Sequence, residues 1–225
     1  MENLLLEGIV GSQAYGLATS DSDTDYAGIY VEPTRRLLGL HPPTRRSRTG
    51  RGEADAIYHE VGKAMGLMLS CNPTAYELLW LDDYSAITVL GRELVELRGC
   101  FASAQRVRRA YFGYAVAQAG DLERAPHPSA ARRAKQARHA MRLLWQGYRL
   151  YTTGFLPIRL PDPQRFHDFG ALAAAEGADP VRELLAEYET AFDSATPALP
   201  EEPDEQPIDD LLQRIRQAYL DRKAS

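Results

Sequence analysis

The amino-acid sequence predicts an α/β (α+β) chain in two parts, a small α/β head over residues 1–100 and a mostly helical domain over residues 101–225. Up to residue 100, short apolar runs alternate with helix signals and turn residues. Beyond it, apolar residues recur at helical spacing over long runs. Apolar residues make up 44% of the chain and charged residues 25%, both near globular averages, which excludes wholesale disorder at this length.

The elements follow in order. Leu4–Val10 reads as a short buried strand closed by Gly11. Ser12–Leu17 predicts a single helical turn with Ser12 as its N-cap. The segment TSDSD is a turn, and Asp25–Val31 is rich in strand formers. Pro, Gly and Arg in HPPTRRSRTGRGE predict a loop, followed by a strand at Ala54–Tyr58 and a helix over residues 61–70. In NPTAYELLWL, Asn72 is placed to cap a helix that Pro73 opens. Residues 103–119, 129–153, 179–194 and 208–222 predict helices, with FLPIRLPDP as an extended insertion. No internal repeat is visible.

Charge is uneven. The net charge is −5, yet residues 34–52 hold six arginines (35, 36, 45, 46, 48 and 51) and no acid. Such a stretch suits polyphosphate or nucleic acid, or is simply a solvated surface. No apolar run approaches the roughly 20 residues that span a bilayer. The start MENLLLEG lacks the basic stretch and small-residue cleavage site of a signal peptide, and Cys71 and Cys100 have no metal-binding spacing. These features predict a cytoplasmic protein with no membrane association.

The stretch GIVGSQAYGLATSDSDTDYAGIYV carries the chemistry. Gly11 lets a phosphate approach the backbone closely, and Ser12 adds a hydroxyl donor. Ten residues separate Ser12 from Asp23, which is followed by Asp25. Two carboxylates at i and i+2 of a strand share one face, where their repulsion favours a cation between them. Mg²⁺ takes one or two carboxylates plus substrate phosphates. Taken alone, Gly-Ser and Asp-x-Asp are most often plain turns. Their combination at this distance arises by chance in roughly one or two per cent of chains this long.

This order of Gly-Ser, Asp-x-Asp and an apolar strand resembles the DNA polymerase β nucleotidyltransferase superfamily. GSQAYGLATSDSDTDYAGIYV, NPTAYELLW, KQARHAMRLL and TTGFLPIRLP together resemble the predicted nucleotidyltransferases associated with RNA ligases. The resemblance implies a small head with a mixed sheet, transfer of a nucleoside monophosphate from an NTP to a hydroxyl, and an RNA end as acceptor. It implies that Gly11 and Ser12 hold the β- and γ-phosphates and that Asp23 and Asp25 coordinate two Mg²⁺ ions for a two-metal transfer, with Mn²⁺ as a substitute. A third carboxylate normally completes such a site. Asp55 is the first choice, because it begins the apolar stretch leading to a helix as the family's acid does; Glu53 and then Glu60 are the alternatives.

In the second half, Ala137, Met141, Leu144 and Tyr148 form an apolar stripe, with Lys135, His139, Arg142 and Gln146 on the opposite face. Lys135, His139 and Arg142 are candidate phosphate ligands, of the triphosphate or of the acceptor. Tyr111, Phe112 and Tyr114 beside Arg108 and Arg109 suit base stacking or a helix core. A catalytically silent nucleotide- or RNA-binding protein of the same fold, or an antitoxin-like one, is the competing expectation.

Overall fold

The structure is a computed structural model that describes residues 3–20, 22–44, 47–50, 55–124 and 129–221. The chain forms two compact units, Met1–Ala102 with Pro203–Ser225, and Ser103–Glu202. The expected division gave everything after residue 100 to the helical part, whereas the C-terminal helix groups with the first unit.

The first unit is built on a five-stranded mixed sheet of β1 (Leu4–Val10), β2 (Asp25–Tyr30), β3 (Ser47–Gly50), β4 (Asp55–Glu60) and β5 (Ala86–Ile87), in the order β3-β4-β2-β1-β5. β2 and β4 are parallel; the other pairs are antiparallel. β1 has the limits its apolar run predicts, and Leu5 and Leu6 are fully buried. β3 falls inside the segment expected to be a loop. It is a short arginine-bearing edge strand, a composition that discourages pairing with other chains and hides the strand from pattern reading. Position 53 and its neighbours 51, 52 and 54 lie outside the described residues.

Among the described residues, six α-helices complete this unit: α1 (Gly11–Tyr15), α2 (Thr34–Leu38), α3 (Val61–Leu69), α4 (Pro73–Tyr76), α5 (Val89–Glu96) and, from the far end of the chain, the one at Glu205–Ala218. Asn72 caps α4 as expected, its Oδ1 accepting from the Ala75 N–H at 3.1 Å, but the helix tightens into a 3₁₀ turn at Glu77–Leu79. Ser12 does not cap α1; Val10 occupies the N-cap position and supplies no side-chain bond.

The second unit packs α6 (Ala104–Arg124), α7 (Ala130–Thr153), α8 (Pro163–Glu176) and α9 (Asp179–Ser194). The helix at Glu205–Ala218 is therefore α10. FLPIRLPDP is irregular up to Asp162, as expected of an insertion between helices; α8, for which the sequence suggested no element, begins at its last residue, where Pro163 takes the first helical position and Asp162 accepts from the Arg165 N–H. Ala137, Met141 and Leu144 are buried as their stripe predicts. Tyr148 and Tyr151 pack edge-on against Phe192, with ring centroids 5.4 and 5.1 Å apart.

The opposing stripe of α7 does not simply face solvent. Arg142 and Gln146 are 4% and 1% exposed, and the Arg142 guanidinium donates to Gln146 Oε1 at 2.6 Å. Gln146 Nε2 in turn donates to the Pro157 carbonyl at 2.8 Å, tying down the irregular segment before α8. The line is thus partly structural, because a proline-rich segment leaves carbonyls that need donors.

Two tests follow from this packing. Glu60, 1% exposed, receives two bonds from Arg216 of α10, at 2.5 and 3.0 Å, and also caps α3 by accepting from the Gly62 N–H. Arg216→Met strands this carboxylate and should lower the urea unfolding free energy by about 3–5 kcal/mol, with Glu60→Gln/Arg216→Met losing less. Burial, reinforced by Arg142 and Lys135, pushes the His139 imidazole from its ordinary 6.5 down to about 3. Between those values the unfolded chain binds the extra proton, so stability falls as pH drops below 6.5. His139→Gln should flatten that part of the pH–stability curve in urea titrations.

Candidate active site

Three strand positions meet in one row. Val10, the last residue of β1, pairs with Asp25, the first of β2, and Asp25 pairs with Asp55, the first of β4. Directly opposed residues on neighbouring strands project from the same face of the sheet, with strands about 4.8 Å apart. Asp25 and Asp55 therefore stand side by side at the N-terminal ends of two neighbouring interior strands.

Gly11 follows Val10 and turns the chain into α1 with a φ of +70°, a region that L side chains rarely adopt. A Cβ at this position would land well inside van der Waals contact of Asp25 Oδ2. Glycine is thus required both by the turn and by the carboxylate beside it. Ser12, the next residue, is part-exposed. Gly16 closes α1 in the left-handed conformation, and the Leu17 N–H reaches the Ser12 carbonyl at 2.9 Å.

Asp23 is exposed and lies two residues before β2 begins. Strand alternation therefore does not govern where its carboxylate points, contrary to the expectation for an i, i+2 strand pair. The preceding turn is closed by Ser22 N–H to Thr19 O at 3.0 Å and Thr19 N–H to Ser22 Oγ at 2.8 Å. Asp55 is exposed, and among the described residues neither the Asp23 nor the Asp55 carboxylate has a hydrogen-bond or ion-pair partner. No group of three or more His, Cys, Asp or Glu is gathered closely enough to hold a metal ion among the described residues. Glu53 lies outside them.

The far ends of the same strands are arranged differently. Glu32, just past β2 and 3% exposed, accepts from Arg36 at 2.6 Å and from Arg48 at 2.9 Å, and Arg48 stacks 4.0 Å over the Tyr30 ring. Glu60, at the end of β4, is held by Arg216. Arg35 pairs with Asp221. The arginines that suggested a nucleic-acid surface are, at positions 35, 36 and 48, engaged within the fold; positions 45, 46 and 51 lie outside the described residues. Glu60 is correspondingly excluded as the third carboxylate by its arginine partner and its burial.

In the second unit, Lys135 is exposed, Arg142 is buried, and His139 is neutral at physiological pH, offering a ring N–H rather than a charge. Tyr111 is 1% exposed and belongs to the helical core, and Arg108 pairs with Asp193. Glu77, in the run ELLWL, is a functional-looking acid with a structural partner. It is 3% exposed and accepts from the Tyr15 hydroxyl at 2.6 Å. The signal for this was its apolar company in ELLWL, where a charged residue needs a partner.

Cys71 and Cys100 are free thiols. Among the described residues, no helix is long and apolar enough to cross a membrane. No curated protein matches the chain. A family described as the RNA repair pathway DNA polymerase beta family matches residues 2–217, nearly the whole length. With its sheet, its glycine turn and its paired aspartates, the chain belongs to the RNA repair pathway DNA polymerase beta family.

Proposed function

We propose that the protein is a Mg²⁺-dependent nucleotidyltransferase that moves a nucleoside monophosphate from an NTP to a hydroxyl at an RNA end and releases pyrophosphate. A nucleotidyltransferase-type role comes with the family. The observation that carries the finer reading is the Asp25–Asp55 row with Gly11 pressed against Asp25. These residues suit a hard divalent ion: the donors are carboxylate oxygens, and arginines neutralise the opposite ends of the strands instead.

In this reading, the Gly11 backbone and the Ser12 hydroxyl hold the β- and γ-phosphates. Asp23, Asp25 and Asp55 hold Mg²⁺, or Mn²⁺ in its place. Bound there, the metal would supply charge neutralisation for the reacting phosphate and the pyrophosphate. Asp55 accepts the proton of the attacking hydroxyl at a carboxylate oxygen. The acceptor oxygen forms its bond to the α-phosphorus as the bond from that phosphorus to the pyrophosphate oxygen breaks. Lys135, His139 and Arg142 remain proposed phosphate ligands, His139 as a neutral donor.

Labelled NTPs incubated with Mg²⁺ and a pool of RNAs test the reaction directly. Asp25→Asn or Asp55→Asn should reduce incorporation by more than about 100-fold, the scale of losing a group that stabilises developing charge. Incorporation that survives Asp23→Ala/Asp25→Ala rules the mechanism out. Nucleotide binding without incorporation, unchanged by Glu53→Gln and Asp55→Asn, would support a binding role instead. Gly11→Ala should cost about 10-fold or more in incorporation while circular dichroism stays unchanged, because displacing the Asp25 carboxylate by even 1 Å is costly.

A further inference from the structure

α1 is too short to hold its own position. Five residues make little internal hydrogen bonding, and neither end has a side-chain cap. Yet it carries Gly11 and Ser12. Its inward residue is Tyr15, 8% exposed, whose hydroxyl donates to Glu77 Oε2 at 2.6 Å across 62 positions of sequence. An ionised carboxylate has no proton to give, so the phenol is the donor, and a bond to a charged acceptor is stronger than a neutral one.

The segment that presents Glu77 is itself well fixed. Asn72 caps the helix before it, the Tyr76 hydroxyl donates to the Arg98 carbonyl at 2.8 Å, and the Tyr84 hydroxyl donates to the Leu78 carbonyl at 2.8 Å. It also lies against β1 where β1 has no side chain: a Cβ on Gly8 would run into Leu81 and come within 3.3 Å of the Asp83 carbonyl. Glu77 therefore stands on a segment fixed on both sides, by the capped helix before it and by the packing of Leu81 and Asp83 against Gly8 of β1. The NPTAYELLW segment has no part in the proposed chemistry, and this anchoring gives it one.

We propose that Tyr15 and Glu77 are positioning residues: their hydrogen bond sets the Gly11–Ser12 turn at the height needed to receive the triphosphate of an NTP. This rests on the nucleotidyltransferase reading above. Neither side chain touches the substrate, and their effect reaches it through α1.

The test uses the full-length protein and binding of Mg²⁺ complexes of ATP, GTP, CTP and UTP, each measured by calorimetry, alongside urea unfolding. Tyr15→Phe should weaken binding of the preferred NTP about tenfold, equivalent to one missing hydrogen bond to a charged group. Glu77→Gln keeps an acceptor oxygen and should lose less. Tyr15→Phe/Glu77→Leu removes both partners of the bond, so even if it recovers stability it should not recover affinity. In turnover, the KM for the NTP should rise while the KM for the RNA acceptor holds. Unchanged NTP affinity in Tyr15→Phe, or affinity recovered together with stability in the double variant, overturns the inference. If the wild-type protein binds none of the four nucleotides, it is the nucleotidyltransferase reading that fails, and the anchoring inference falls with it.

Discussion

The contact between Gly11 and the Asp25 carboxylate is the constraint on which the rest of the site depends. It exists because β1 ends one residue before a left-handed glycine while β2 begins at the aspartate paired with that last strand residue. Shifting the register by one position would send Asp25 to the opposite face and open a gap beside the glycine. The parallel pairing of β2 with β4 then brings Asp55 alongside with no further device. Three short strands and one missing Cβ thus assemble the arrangement.

The sheet is electrically divided along its strands. Where β2 and β4 end, the carboxylates of Glu32 and Glu60 are buried against arginines, which removes any incentive to recruit a cation. Where they begin, Asp55 and the nearby Asp23 are exposed to solvent. Among the described residues, a chain whose summed charge is modest therefore presents carboxylates to solvent at the start of these strands and buries those at their end. Composition alone conveys nothing of this, since paired and solvent-facing acids count equally.

Much of the fold was legible because local signals and tertiary packing agree. β1, α9 and the Asn72 cap sit where apolar spacing and capping chemistry put them. The misses share a physical cause. β3 and β5 are four and two residues long, too short to show alternation, and exist because a neighbouring strand offers them hydrogen bonds. α8 was hidden by the prolines around its start, which suit extended chain and a first helical turn equally. At the site, the Gly-Ser turn and its two following aspartates were readable as a linear motif. That Asp55 lies beside Asp25 depends on strand pairing, and that Glu77 meets Tyr15 depends on packing between distant segments; neither is written in any local spacing. The partners of Arg36 and Arg35, Glu32 and Asp221, lie outside the arginine run, the latter far along the chain, so the run by itself did not show them.

The place of α10 has a consequence for biosynthesis. The helical unit, Ser103–Glu202, interrupts the unit that bears the aspartates, so the chain begins that unit, leaves it and returns. A ribosome synthesises the entire helical insert before Arg216 exists to meet Glu60. Until then the newly made sheet carries an acid with no counter-charge at the foot of β4. Completion of the first unit therefore waits on a segment made after the whole helical insert, and not on the emergence of the aspartate motif itself.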